Sequence, residues 1–121
     1  VLDRATGELR LARAGAPAPV LVPAEGEPTP LAIPGPFLGV AEATYPVHTA
    51  VLRPGDKLLV GTDGTRPDGT PAAADDGAMA TAAARHRHLT GQAFADAVAR
   101  DLLQRVRHED DFTLVVVDGI S

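Results

Sequence analysis

Two short stretches of this chain place acidic side chains at the ends of apolar runs. In Gly55-Asp56-Lys57-Leu58-Leu59-Val60-Gly61-Thr62-Asp63-Gly64 the run Leu58 to Val60 leads to Asp63. In Asp110-Asp111-Phe112-Thr113-Leu114-Val115-Val116-Val117 the two acids open the run Phe112 to Val117. If both runs are strands and neighbours in one sheet, carboxylates far apart in sequence meet at one sheet edge. Clustered carboxylate oxygens suit hard divalent cations such as Mg²⁺ or Mn²⁺. Without a cation, protons or basic partners, their mutual repulsion would be costly. Each acid also has a plainer reading: Asp-Gly alone is a turn signal, and Asp110 and Asp111 could be solvated acids between a helix and a strand. Successive strand residues face opposite ways, so Asp110 and Asp111 are not expected to share one ion.

Other titratable groups point to less. His86 and His88 are two residues apart on an expected helix and do not share a face, so both are assigned to the surface. His48 and His108 are isolated. Asp75 and Asp76 suit a helix N-terminus, where the macrodipole favours acids. Arg85, Arg87, Arg100, Arg105 and Arg107 are expected to form a solvated face. No Gly-rich phosphate loop and no Gly-x-Ser-x-Gly elbow is present.

The elements that must position the acids follow from pattern. Val1 to Asp3 and Glu8 to Ala14 read as strands around the turn Arg4-Ala5-Thr6-Gly7, with Leu9 and Leu11 alternating against Arg10 and Ala12. Val20 to Val22 is a strand, turning at Ala24 to Glu27, and another follows around Leu31 to Ile33, before a Pro/Gly loop to Gly39. Tyr45 to Leu52 reads as a strand with Val47, Thr49 and Val51 on one face. The turn Arg53-Pro54-Gly55-Asp56 should return it as a hairpin with Lys57 to Gly61. Ala78 to Arg87 is Ala-rich and helical. A second helix runs from Gly91 to Arg107, capped by Thr90, with Phe94, Val98, Leu102 and Val106 in an i, i+4 row. Strands, then helices, then a returning strand describe an α+β fold.

At 121 residues the chain has the size of one domain or part of one. The four aromatics, Phe37, Tyr45, Phe94 and Phe112, leave the core to aliphatic side chains. The absence of cysteine excludes disulfides and thiolate metal sites, and fits a reducing, cytoplasmic setting. A net charge of -5 argues against a nucleic-acid partner, and no apolar run approaches the ~20 residues of a membrane span. The chain opens at Val1 inside a strand pattern, as expected of a piece of a longer polypeptide.

Taken in order, Leu2-Asp3, Thr6-Gly7-Glu8-Leu9, Ala14-Gly15 with Pro17 and Pro19, Leu38-Gly39-Val40, Leu52-Arg53-Pro54-Gly55-Asp56, Thr62-Asp63-Gly64 and Asp110-Asp111-Phe112-Thr113 form a set. That set resembles the C-terminal half of the metal-dependent protein serine/threonine phosphatases (PP2C-like), in their bacterial sporulation and stress-response branch. Ala16 departs from the family's frequent His, and Thr65-Arg66-Pro67 from its usual stretch after Asp-Gly. The family's N-terminal Gly-Asp and Asp-x-x-Gly-His-Gly segments have no counterpart here.

The resemblance implies that residues 1–121 are the C-terminal portion of a PP2C-like phosphatase domain, an antiparallel β-sandwich flanked by helices. It implies Asp63 and Asp110 as ligands of a site holding two Mn²⁺ or Mg²⁺ ions, with Gly64 and Asp111 in support. In that family a deprotonated water between the ions attacks phosphoserine or phosphothreonine of a regulatory protein, such as an anti-sigma-factor antagonist. A chain with only these two acids is expected to be inactive alone. The alternative class is a non-catalytic, phosphatase-like module that binds a regulatory protein. Strands left without neighbours, around Leu9 to Ala14 or Phe112 to Val117, are expected to pair with a second copy as a homodimer. The face of Phe112, Leu114 and Val116 is expected to lack cover.

Overall fold

The computed structural model describes residues 1–62, 77–104 and 113–119. Among them are β1 (Glu8–Leu11), β2 (Val20–Val22), β3 (Thr29–Pro30), β4 (His48–Val51), β5 (Lys57–Gly61), α1 (Ala78–His86), α2 (Gly91–Leu103) and β6 (Leu114–Asp118). All strand pairs are antiparallel and form two sheets, β1-β4 and β3-β2-β5-β6. This is the expected α+β architecture.

Period-2 alternation in the larger sheet feeds two cores. Val20, Val22 and Leu59, with Leu114 and Val116 beside them, pack against Met79, Ala82 and Ala83 of α1 and Phe94, Val98 and Leu102 of α2. The opposite face sends Leu58, with Leu21, Val60 and Val117, into a second cluster with Leu9, Leu31, Ile33 and Leu52. The layers are therefore helices, a four-stranded sheet and a two-stranded sheet. Alanines on α1 let it lie close to its neighbours. The expected row on α2 is buried through Leu102; Val106 lies outside the described residues.

At the N-terminus the turn after Asp3 forms as read. Gly7 sits at φ 76°, where a side chain would be strained, and its N–H donates to Asp3 O at 2.8 Å. The Asp3 Oδ1 accepts from Ala5 N at 2.9 Å. Val1 and Asp3 bond to the outer side of β1, through Arg10 N to Val1 O at 2.9 Å and Asp3 N to Glu8 O at 2.9 Å.

Several expectations are corrected. β4 and β5 do not form a hairpin: β4 pairs with β1, and β5 with β2 and β6. The turn between them is a corner joining the two sheets. Its Gly55 N donates to Gly119 O at 2.9 Å, and Gly119 N to Asp56 O at 2.8 Å, pinning it to the end of β6. The face of Val47, Thr49 and Val51 is exposed, while Ala50 and Leu52 supply the inward contacts. Because Val1 to Asp3 cover β1, the strands without an outer neighbour among the described residues include β4 and β6. Leu114 and Val116 lie against the helices; it is Val115, facing the other way, that is exposed. Thr90 stands at the N-cap of α2 without a side-chain cap bond.

The basic and imidazole side chains of α1 are not simply solvated. Arg85 Nη1 donates to Asp101 Oδ2 at 2.5 Å, and His86 Nε2 lies 3.2 Å from the same oxygen. Arg87 donates to Pro23 O at 2.5 Å and to Ala24 O at 3.1 Å, and also bonds Gly26 O.

Candidate functional site

β5 and β6 run side by side in the register Lys57↔Asp118 through Gly61↔Leu114. This is the adjacency that the two acidic stretches require. Beyond the last ladder pair the strands remain joined: Thr62 N donates to Thr113 O at 3.1 Å, and Thr113 N donates to Thr62 Oγ1 at 3.0 Å. The Thr62 hydroxyl thus takes the place of a backbone acceptor where the ladder ends.

Asp63, Gly64, Asp110 and Asp111 lie outside the described residues, as do His108, Asp75, Asp76, Arg105 and Arg107. Among the described residues no group of three or more His, Asp or Glu side chains could hold a metal ion. Asp56, the other acid of the first stretch, is engaged in its turn, accepting from Ala24 N at 2.8 Å and Arg53 N at 3.0 Å. Thr113 enters this junction through its backbone N–H and carbonyl, both directed to Thr62.

Beside the joined ends of β5 and β6 lies an apolar cleft of about 440 Å³, lined by Ala14 to Pro17, Phe37, Val60 to Thr62, Thr113 and Val115. Its far wall is locked in place. Arg13 bonds Ala16 O and donates from Nη1 to Ile33 O at 3.3 Å, and Gly15 N donates to Gly35 O at 2.7 Å. At Gly35 the two segments approach so closely that a Cβ would stand 1.6 Å from Arg13 O. The Phe37 ring lies directly over Gly15. These contacts give a physical meaning to the Ala14-Gly15 and Pro/Gly stretches of the sequence.

At the other end of the strand pair, Lys57 is only 4 % exposed. Its Nζ is 3.9 Å from Asp118 Oδ1 and 5.4 Å from the centroid of Phe94. Asp118 Oδ2 accepts from Gly91 N at 2.8 Å. This arrangement was not read from sequence. Its signal was there: a lone Lys opening one apolar run and an Asp closing the run that pairs with it.

The comparisons with known proteins accord with the fold. The chain is 30% identical to the RsbU and RsbW domains of Rv1364c from Mycobacterium tuberculosis, with a TM-score of 0.74, over 99% of this chain and 36% of that one. It matches the phosphatase domain of the cell fate determinant SpoIIE from Bacillus subtilis at 17% identity and a TM-score of 0.69, over 100% of this chain and 56% of that one. A longer SpoIIE structure from Bacillus subtilis, holding the PP2C phosphatase domain and a fragment of the regulatory domain, matches at 20% identity and a TM-score of 0.64, over 90% of this chain and 33% of that one. The chain therefore spans between a third and just over half of these solved structures. None of the curated proteins matches it. The model of the family described as Stage II sporulation protein E (SpoIIE) matches residues 1–119, nearly the whole chain, and the chain belongs to that family.

Proposed function

We propose that this chain is the C-terminal portion of a metal-dependent protein phosphatase domain, and that it contributes Asp63 and Asp110 to the site of phosphate ester hydrolysis. The observation that carries the reading is the joining of the two strand ends through Thr62 and Thr113. Asp63 follows Thr62 directly and Asp110 precedes Thr113 by three residues. At up to ~3.6 Å per residue, covalent continuity limits how far Asp63 and Asp110 can stand from that sheet edge, which supports the reading.

Two carboxylates at one edge are a donor set suited to Mn²⁺ or Mg²⁺, and Asp63 and Asp110 would be the residues that hold the cation. Gly64 would leave its approach open and Asp111 would support the turn. A bound divalent cation supplies positive charge that acidifies a water and offsets charge developing on a phosphoryl group. Hard cations take about six oxygen ligands, so two acids are part of a site and further ligands come from elsewhere. Family membership supports the phosphatase chemistry. A crystal of the Bacillus subtilis phosphatase domain presoaked with Mn gives the same fold, which favours Mn²⁺ as the first cation to test. The substrate we infer is phosphoserine or phosphothreonine on a regulatory protein of the anti-sigma-factor-antagonist kind, in a cytoplasmic signalling setting. Among the described residues, no helix is long and apolar enough to cross a membrane.

The test is hydrolysis of a phosphoserine peptide with Mn²⁺, by this chain alone and by a complete domain containing it. The chain alone is expected to show negligible turnover. In the complete domain Asp63→Ala or Asp110→Ala should each lower kcat/KM at least about 100-fold, a loss of about 2.7 kcal/mol of transition-state stabilisation. Full activity in both variants would remove the two acids from the chemistry. A complete domain that binds its phosphoprotein without turning it over would favour the binding-module reading.

A further inference from the structure

β5 and β6 follow the backbone ladder from Lys57↔Asp118 to Gly61↔Leu114. In such a ladder a hydrogen-bonded pair exchanges two main-chain bonds. The next pair, Thr62 and Thr113, keeps one of them, Thr62 N donating to Thr113 O at 3.1 Å. The other is made by a side chain, with Thr113 N donating to Thr62 Oγ1 at 3.0 Å. A Thr hydroxyl that bonds a backbone group competes with regular structure, and β5 ends at Gly61 without adding this rung. Both threonines are exposed, so water could satisfy the Thr113 N–H equally well. The bond therefore matters for geometry more than for pairing a polar group. Thr62 is β-branched and stiff at χ1, so a bond to its hydroxyl also fixes the orientation of its own main chain.

We infer that Thr62 is a positioning residue for the cation site: its hydroxyl sets where the two strands part, and so how Asp63 and Asp110 are offered to a divalent cation. The inference rests on the reading of those two acids as ligands. Thr62 directly precedes Asp63 and grips, through the Thr113 N–H, the strand that Asp110 leads into. Without the hydroxyl, the Thr113 N–H can turn to the Thr62 carbonyl, as in a regular ladder, or to water. The first outcome lengthens the paired run by one residue, about 3.3 Å of rise. The second releases the two ends from each other. Mg²⁺ demands near-ideal octahedral geometry at about 2.0–2.1 Å, so either change misplaces a ligand. A misplaced ligand weakens a site without abolishing it, and groups that orient metal ligands are worth about 10–100-fold in affinity. The residue type matters as well: Ser would keep the acceptor, whereas Val keeps the shape and loses it.

The experiment measures Mn²⁺ binding to a complete domain containing this chain, from the electron paramagnetic resonance signal of free Mn²⁺. Amide exchange at Thr113 is followed in parallel without metal. Thr62→Val should raise the Mn²⁺ Kd about 10–100-fold and speed Thr113 exchange about tenfold, while leaving the urea unfolding midpoint unchanged. Thr62→Ser should bring both readings back close to the parent values. At saturating Mn²⁺ the Thr62→Val domain should recover most of its kcat, which places the defect in the Mn²⁺ requirement. Asp63→Asn and Asp110→Asn, measured alongside, should each weaken Mn²⁺ binding more than Thr62→Val does. If neither weakens it, the ligand reading falls and the positioning role falls with it. If both weaken it and Thr62→Val does not, the ligand reading stands and the positioning role alone is overturned. Faster Thr113 exchange with unchanged Mn²⁺ affinity would reduce the Thr62 bond to a structural one. Equal weakening by Thr62→Val and Thr62→Ser would also overturn the inference, because the hydroxyl would not be the cause.

Discussion

The carboxylate of Asp118 ties three parts of the molecule together. One oxygen accepts from Gly91 N at the start of α2 and the other faces Lys57 on β5. It therefore serves the first turn of α2, whose N-cap residue Thr90 makes no side-chain bond. A hydrogen bond to a charged group contributes about 1.5–3 kcal/mol, and removing the carboxylate also takes the counter-charge from the nearly buried Lys57. Asp118→Ala should therefore lower unfolding free energy by about 2 kcal/mol in urea titration, whereas Thr90→Ala should change it by less than about 0.5 kcal/mol. Adding Lys57→Met to Asp118→Ala should cost less than the sum of the single changes, because the uncompensated ammonium is gone. Equal costs for Thr90→Ala and Asp118→Ala would return the cap to Thr90. Thr90 was legible as a cap position because N-cap preference is local. Asp118 was not, because it reaches α2 only through the fold.

Elements were read well where one face decides them and poorly where pairing is non-local. The α2 row Phe94, Val98 and Leu102 is buried as its 3.6-residue period demands. The strand patterns of β5 and β6 were legible, but their adjacency, on which the candidate site rests, entered the sequence reading only as a condition that the fold then met. The supposed β4–β5 hairpin failed because a tight Pro-Gly turn says that the chain reverses, not which sheet it reverses into. Here Gly119 holds the turn at a sandwich corner, where chains switch sheets. Arg87 shows the same limit: as one of several arginines it looked solvated, but it staples the end of α1 to the carbonyls of Pro23, Ala24 and Gly26. Arg87→Ala should cost about 1–2 kcal/mol. It should also speed amide exchange in the turn between β2 and β3 while leaving α2 unaffected. Arg87→Lys should recover only part of this, since one ammonium cannot fan across three carbonyls as a guanidinium does. An alanine variant as stable as the parent would make the staple incidental.

For the whole molecule, the three layers are unequal in strength. The helices and the four-stranded sheet enclose a core whose largest side chains, Phe94, Leu59 and Leu102, are fully buried. The outer layer is two strands of four residues each, β1 and β4, with β4 mostly exposed. Burial of apolar area sets local stability at about 25 cal/mol per Å², and a layer with less of it opens without global unfolding. Native-state hydrogen exchange on the chain alone should therefore show two levels. Amides of β2, β5 and α2 should exchange only with global unfolding. Those of β4 should exchange at least tenfold faster, with low sensitivity to denaturant. Phe94→Ala, at a cost of about 3–5 kcal/mol, should erase the difference by lowering the global level toward the local one. Uniform exchange across both sheets would mean that the two-stranded layer is as firmly held as the helix-covered core.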